Sequence, residues 1–320
     1  MIPILAAARI PVEMEFSVGT GIGKLDLLQK NGDTFHMISF RGGAERCRVL
    51  LVLAFVVVFS GCASFQKPNE VPAVPEILFG IPAGYLSTQA LPNSLALIPT
   101  SPASGSTALA LDEEVSRTSL ALRGMPRWNL AAEDANLKFP QAANAFSCSL
   151  NAPITVQDTP HLYMLMRRTL VDAGFSTHLA KEHYMRTRPF VVNGEPTCTP
   201  LAEGSLRKNG SYPSGHAAIG WAWALILSEI APEQADAILA RGRAFGQSRV
   251  ICNVHWQSDV IEGRFLGAAT VAILHADFVF RADLESAKAE LATARGKGLK
   301  PTRDCEAEAK ELAQQPPPAP

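Results

Sequence analysis

Residues 213–230 read Pro213-Ser214-Gly215-His216-Ala217-Ala218-Ile219-Gly220-Trp221-Ala222-Trp223-Ala224-Leu225-Ile226-Leu227-Ser228-Glu229-Ile230. From Ala217 onward the apolar residues lie nearly all round a helical wheel instead of along one stripe, which predicts a helix buried on every side. Working outward, residues 112–123 and 159–173 carry apolar positions at three- and four-residue intervals, the spacing of amphipathic helices. A long helical pattern covers 259–280, and a charged amphipathic stretch follows at 283–295. Strand signals are sparse and no internal repeat is visible. The expected fold is all-α, a multi-helix bundle around a central hydrophobic helix.

The chain has 320 residues, of which 47% are hydrophobic, enough for one sizeable core. Its 29 Lys and Arg face 30 Asp and Glu, so no overall field draws it to nucleic acid, and no nucleic-acid-binding surface is predicted. Any anion site has to be built locally. Residues 49–59 are wholly apolar, follow Arg41, Arg46 and Arg48, and run into Ser60-Gly61-Cys62-Ala63. That run suits a signal h-region and falls short of the ~20 residues a spanning helix needs. The expectation is export to a bacterial periplasm, with a signal peptide over 37–61, a start at Met37, and 1–36 as an untranslated or unstructured extension. Cys62 resembles the lipidated cysteine of a lipoprotein cleavage box, with Phe59 in place of the usual Leu, which would anchor the protein to the outer membrane. Prolines 68, 72, 75, 82, 92, 99 and 102 make 62–110 a tether and wrapping arm. Residues 111–296 form the all-α domain, and 297–320 read as a disordered tail.

Three motifs carry chemistry. Lys181 and Arg188 are two helical turns apart, which puts both cations on one face of a helix ending near Pro189 and lets them grip one anion; alone, such spacing also fits a solvated face. Pro213-Ser214-Gly215-His216 runs straight into the buried helix, so its amides would face outward from a helix N-terminus that favours a phosphate oxygen. Gly215 lets the backbone approach the anion, and His216 beside it could protonate a leaving alkoxide. The plainer reading is a turn with an N-capping serine. Third, Ser248-Arg249 is followed after five residues by His255, and after three more by Asp259. Asp259, at the start of a helix, would hold His255 Nδ1–H and leave Nε2 free as a nucleophile, while Arg249 offers a planar fork to two phosphate oxygens. Two histidines and an aspartate also suggest a metal, but three cations around the same cavity would repel one.

Together these motifs resemble, at every position, the signature of the phosphatidic acid phosphatase type 2 and haloperoxidase superfamily. The strings at 208–216 (Lys-Asn-Gly-Ser-Tyr-Pro-Ser-Gly-His), 246–252 (Gly-Gln-Ser-Arg-Val-Ile-Cys), 255–260 (His-Trp-Gln-Ser-Asp-Val) and 131–137 (Ala-Ala-Glu-Asp-Ala-Asn-Leu) are similar to those of class A bacterial non-specific acid phosphatases. The resemblance spans about 85–294. It implies an acid phosphatase/vanadium haloperoxidase-like helical fold, a catalytic domain over 111–296, and hydrolysis of varied small organic phosphomonoesters at acid pH without cofactor or metal. On it, His255 forms a phosphohistidine, Asp259 orients it, and His216 protonates the leaving group and then activates water. Lys181, Arg188, Ser214, Gly215 and Arg249 hold the phosphoryl oxygens.

Setting aside Cys47 and Cys62, the cysteines Cys148, Cys198, Cys252 and Cys305 remain, which allow three pairings in an oxidising compartment. Cys198 and Cys252 sit where the class A resemblance implies a disulfide; it assigns nothing to Cys148 and Cys305. Trp221, Trp223 and Tyr163 read as core. Trp256 and Tyr212 flank motif residues and suit either a leaving-group pocket or packing. His183 and His275 fit no motif. Competing functions are a vanadate-dependent haloperoxidase, an integral lipid phosphatase and an inert phosphate-binding lipoprotein. The intact His255, His216 and Asp259 speak against the last, and the mature chain offers no set of spanning segments. A homo-oligomer is compatible with the sequence.

Overall fold

The computed structural model describes residues 71–78 and 80–314. The expected signal segment, Cys62 and the last six residues lie outside the described residues. The proline-rich arm opens with a two-stranded antiparallel pair, β1 (Glu76–Leu78) and β2 (Ile81–Pro82). The helices α1 (Thr107–Ser119), α2 (Pro126–Asp134), α3 (Pro160–Phe175), α4 (His178–Tyr184), α5 (Pro189–Asn193), α6 (Gly215–Ile230), α7 (Ala235–Ile251), α8 (Gln257–Leu274), α9 (Phe278–Gly296) and α10 (Cys305–Leu312) follow, with shorter helical turns between some of them. The fold is therefore all-α, as the apolar periodicity predicts. Prolines open α2, α3 and α5, where a missing N–H costs nothing. Ser214 caps α6 through its Oγ, which accepts from Ala217 N.

α6 is the axis of the bundle and packs on α3, α7, α8 and α9. Its approach to α7 and α8 is close because small residues face each other along both seams. A Cβ added at Gly220 would overlap Phe245, one at Gly242 would overlap Ala224, and one at Gly263 or Gly267 would overlap the carbonyls of Ser214 or Ala218. Trp223 is fully buried at the centre, where its Nε1 donates to Met166 O at 3.0 Å and its ring meets Phe139, Phe146 and Phe245 edge-on. Tyr163 is buried with it and Trp221 packs against the same cluster.

Three expectations need correction. Lys181 and Arg188 do not share a helix: α4 stops at Tyr184, Met185 turns into the left-handed region at φ 41°, and Arg188 lies in extended backbone before α5. The long pattern over 259–280 is two helices bent by 99°, because Asp277 caps a new start by accepting from Phe280 N. Continuous hydropathy does not reveal that break. Among the described residues, no single helix is long and apolar enough to cross a membrane. Finally, the segment expected to be a disordered tail contains α10, capped by Asp304 and tied to the body by a Cys148–Cys305 disulfide. A distant covalent partner and a buried carboxylate, Glu308, order it, and neither is visible in local composition. A second disulfide joins Cys198 to Cys252.

The seam between α8 and the start of α6 gives a direct test. Gly263→Ala should push Ser214 away from α8, cost about 1–3 kcal/mol as an overpacked contact, and weaken phosphate binding. Urea unfolding and a phosphate titration would check both effects.

Candidate active site

The chain enters α6 through a tight junction. Ser214 N donates to Asp259 O at 2.8 Å, so the start of α6 is tied to the first turn of α8. Gly215 and His216 supply the first amides of α6, which have no intrahelical acceptor. An added Cβ on Gly215 would meet Thr177 Oγ1 only at 3.5 Å, so protein packing does not crowd it. Lys181 reaches across from α4, and its Nζ donates to the carbonyls of Pro213 (2.7 Å), Gly210 (3.1 Å) and Ser211 (3.3 Å). It therefore braces the Pro-Ser-Gly-His loop instead of presenting free N–H groups. Burial, reinforced by Arg188, pushes its ammonium down to about 7.

His255 lies in the turn between α7 and α8. Its Nδ1 sits 3.1 Å from Asp259 Oδ2, and the same oxygen accepts from Trp256 N at 2.9 Å. A carboxylate only accepts, so Nδ1 carries the proton and Nε2 carries the lone pair. Nε2 lies 3.2 Å from Arg188 Nη1, which fits a guanidinium N–H donating to that lone pair. Arg188 also donates to Leu206 O, Val254 O, Gly210 O and Asn209 Oδ1, a set that fixes its plane. Burial, with Arg188, Lys181 and Arg249 adding to it, holds His255 well below the usual imidazole range. It stays neutral into acid solution.

Arg249 ends α7 almost fully buried, with Nε and Nη1 lacking any hydrogen-bond partner. Burial and then Arg188 depress it to about 9. Unpaired buried guanidinium donors are expensive, and these two suit an anionic acceptor. His216 stacks near Phe245, and its Nε2 lies 3.1 Å from Ala135 O. A carbonyl only accepts, so Nε2 holds the proton and Nδ1 is the nitrogen that can gain or lose one. Burial, followed by the charge of Arg249, lowers its pKa well below the usual value. Protonation of His216 at Nδ1 is thus opposed by burial and by the charge of Arg249. Trp256 donates from Nε1 to Thr187 O and Tyr212 from its hydroxyl to Pro99 O; both are buried and pack the site's walls.

The second layer escaped the sequence reading. Arg186 Nη1 donates to Asp259 Oδ1 and to Ser258 Oγ, both at 2.7 Å, and its Nη2 pairs with Asp112 Oδ2 at 2.8 Å. Asp112 also accepts from Ser258 N and Oγ. Burial pushes the Asp259 carboxyl up, while Arg186 opposes it. Behind Arg249, Ser248 Oγ donates to Asp134 Oδ2 at 2.6 Å and accepts from Arg127 Nη2 at 3.0 Å. Arg186 lies within the first motif, two residues before Arg188, but its partner Asp112 is 74 residues away and no local pattern marks the pair.

The model of the PAP2 superfamily matches residues 161–283, which include every motif residue from Lys181 to Asp259. A non-specific acid phosphatase of Providencia stuartii is 44% identical over 231 residues, covering 72% of this chain and 91% of that protein. The chain belongs to the non-specific acid phosphatases of the PAP2 superfamily. Within this family, that of Salmonella typhimurium is 44% identical over 200 residues, covering 62% of this chain and 80% of its own length. An acid phosphatase of Zymomonas mobilis is 41% identical over 194 residues, covering 61% and 74%.

Arg186→Gln should strand the Asp259 carboxylate and cost about 3–5 kcal/mol, as breaking a buried pair does. Thermal unfolding should register the loss, and the 3.1 Å contact of Asp259 with His255 should loosen.

Proposed function

We propose that the chain hydrolyses phosphomonoesters at acid pH, without a metal, through a phosphohistidine at His255. The observation that carries this reading is the His255 Nε2 lone pair, oriented by Asp259 and surrounded by buried cations among which Arg249 has open donors. In the first step the Nε2 lone pair attacks phosphorus, the bond to the leaving oxygen breaks, and His216 Nδ1–H gives its proton to that oxygen. In the second step water attacks the phosphohistidine, His216 Nδ1 takes the water proton, and the P–N bond breaks to release phosphate.

Charge development on the equatorial oxygens is met by Arg188, Arg249 and the amides of Gly215 and His216, in a site already arranged to receive it. Ser214 holds the helix start in place, and Lys181 adds charge while bracing the loop. A bound phosphate brings the negative charge that raises His216 toward its ordinary value, so the acid is armed only when substrate is present. Arg188 must then exchange Nε2 for a phosphate oxygen, which frees the nucleophile. None of the polar groups named here is set for the body of a particular leaving group, which supports a broad substrate range. Metal independence rests on the same cations, which oppose a divalent ion.

Two disulfides support export to an oxidising compartment, and with the apolar run at 49–59 they favour the periplasm. Lipidation at Cys62 would add an anchor, which mass spectrometry of the mature protein would register as a diacylglyceryl adduct.

With p-nitrophenyl phosphate as substrate, His255→Ala should abolish turnover and His216→Ala should lower kcat by about 10²–10⁴-fold. A chelator should change nothing; loss of activity on chelation would contradict a metal-free step. Because Lys181 titrates at about 7 in the free protein, kcat/KM should fall as pH rises through 7. On the acid side the neutral His255 should keep the nucleophile available well below pH 6.5.

A further inference from the structure

α10 lies outside the matched family segment, yet buried ion pairs and hydrogen bonds link it to Ser248, the neighbour of Arg249. Glu308, 3% exposed, has Oε1 at 3.3 Å from Arg241 Nε and Oε2 at 2.8 Å from Arg303 Nε. Arg241 is fully buried and grips Asp134 with both terminal nitrogens, at 2.5 and 3.2 Å. Asp134 accepts from Ser248, and Ser248 is the residue before Arg249. A second thread runs alongside: Gln314 Oε1 accepts from Arg127 N at 3.1 Å, and Arg127 donates to Ser248 Oγ and Ala244 O. Arg127 and Asp134 both sit on α2, and Ala135 just beyond it supplies the carbonyl that fixes His216.

Glu308 is the second buried carboxylate of this cluster. Two buried guanidinium groups, Arg127 and Arg241, face two buried carboxylates, Asp134 and Glu308. Without Glu308, Asp134 would be the one carboxylate paired with Arg241 among the described residues, and its bond to Ser248 would compete with a stronger pull toward Arg241. The Cys148–Cys305 disulfide opens α10 three residues before Glu308 and holds the carboxylate at its post.

We propose that Glu308 is a positioning residue for the phosphate cradle, setting Arg249 and His216 through Arg241, Asp134 and α2, with the Cys148–Cys305 bridge as the strap that keeps it there. The proposal rests on the reading of Arg249 as a phosphate ligand and His216 as the acid. Glu308 touches no substrate. Its influence is geometric, and small displacements of a reacting group can cost on the order of 10²-fold.

The test compares the full-length wild type with Glu308→Gln and Glu308→Asp, measuring kcat, KM and the inhibition constant of inorganic phosphate on material shown to be folded by circular dichroism. The expected result for Glu308→Gln is a kcat/KM lowered on the order of tenfold and a raised phosphate constant, with partial recovery in Glu308→Asp. A helix that serves stability alone would lower Tm and leave both kinetic quantities of the folded protein unchanged; that result overturns the proposal. Should Glu308→Gln not accumulate folded, the Cys148→Ser/Cys305→Ser double variant carries the test. It frees the strap without removing an ion pair, and an unchanged phosphate constant there is equally decisive against it. A wild type with no phosphatase activity at all would instead refute the underlying reading.

Discussion

The structure depends on positive charge buried beyond its means. Lys181, Arg188 and Arg249 converge around His255, and the carboxylate bonded to that ring, Asp259, is already shared with Arg186. Each buried ion carries a desolvation penalty of several kcal/mol, and Lys181 and Arg249 are depressed to about 7 and about 9 as a result. On the proposed reading, a phosphate monoester relieves all three at once. On that reading the site favours an anion, and binding energy is available where the reaction needs it.

The three cations do different jobs. Arg188 is locked by five acceptors and covers the His255 lone pair, Lys181 spends its N–H groups on loop carbonyls, and Arg249 keeps open donors. The same division separates the histidines. His255 is oriented by a carboxylate, whereas His216 is tethered by the carbonyl of Ala135 and has no carboxylate of its own. Burial and neighbouring cations lower both imidazoles, and with its Nε2 on Ala135 O, His216 turns Nδ1 to any proton it gains.

Much of this was legible in sequence because the key groups sit at element junctions, where local rules are strong. Ser214 reads as a cap just before an apolar run, and His255 falls four residues before an Asp at a helix start. Legibility ended where partners are brought together only by the fold. Arg186 lies in the loop between α4 and α5 while Asp112 lies on α1, and Glu308 meets Arg241 from a segment whose composition suggested disorder. The shared helical face of Lys181 and Arg188 was misread for a related reason: Met185 adopts a left-handed conformation with no glycine to signal it, and tertiary packing ends the helix there. Likewise the break between α8 and α9 turns on one capping aspartate within continuous hydropathy.

The most direct measurement is a rapid acid-free quench during turnover of a 32P-labelled monoester, followed by peptide mapping of the labelled protein. Acid-labile label confined to a peptide containing His255, and missing from Asp259→Asn in proportion to its lost rate, is the expected result. Turnover at full rate with no label on protein, or label on His216, would contradict the assignment of the nucleophile.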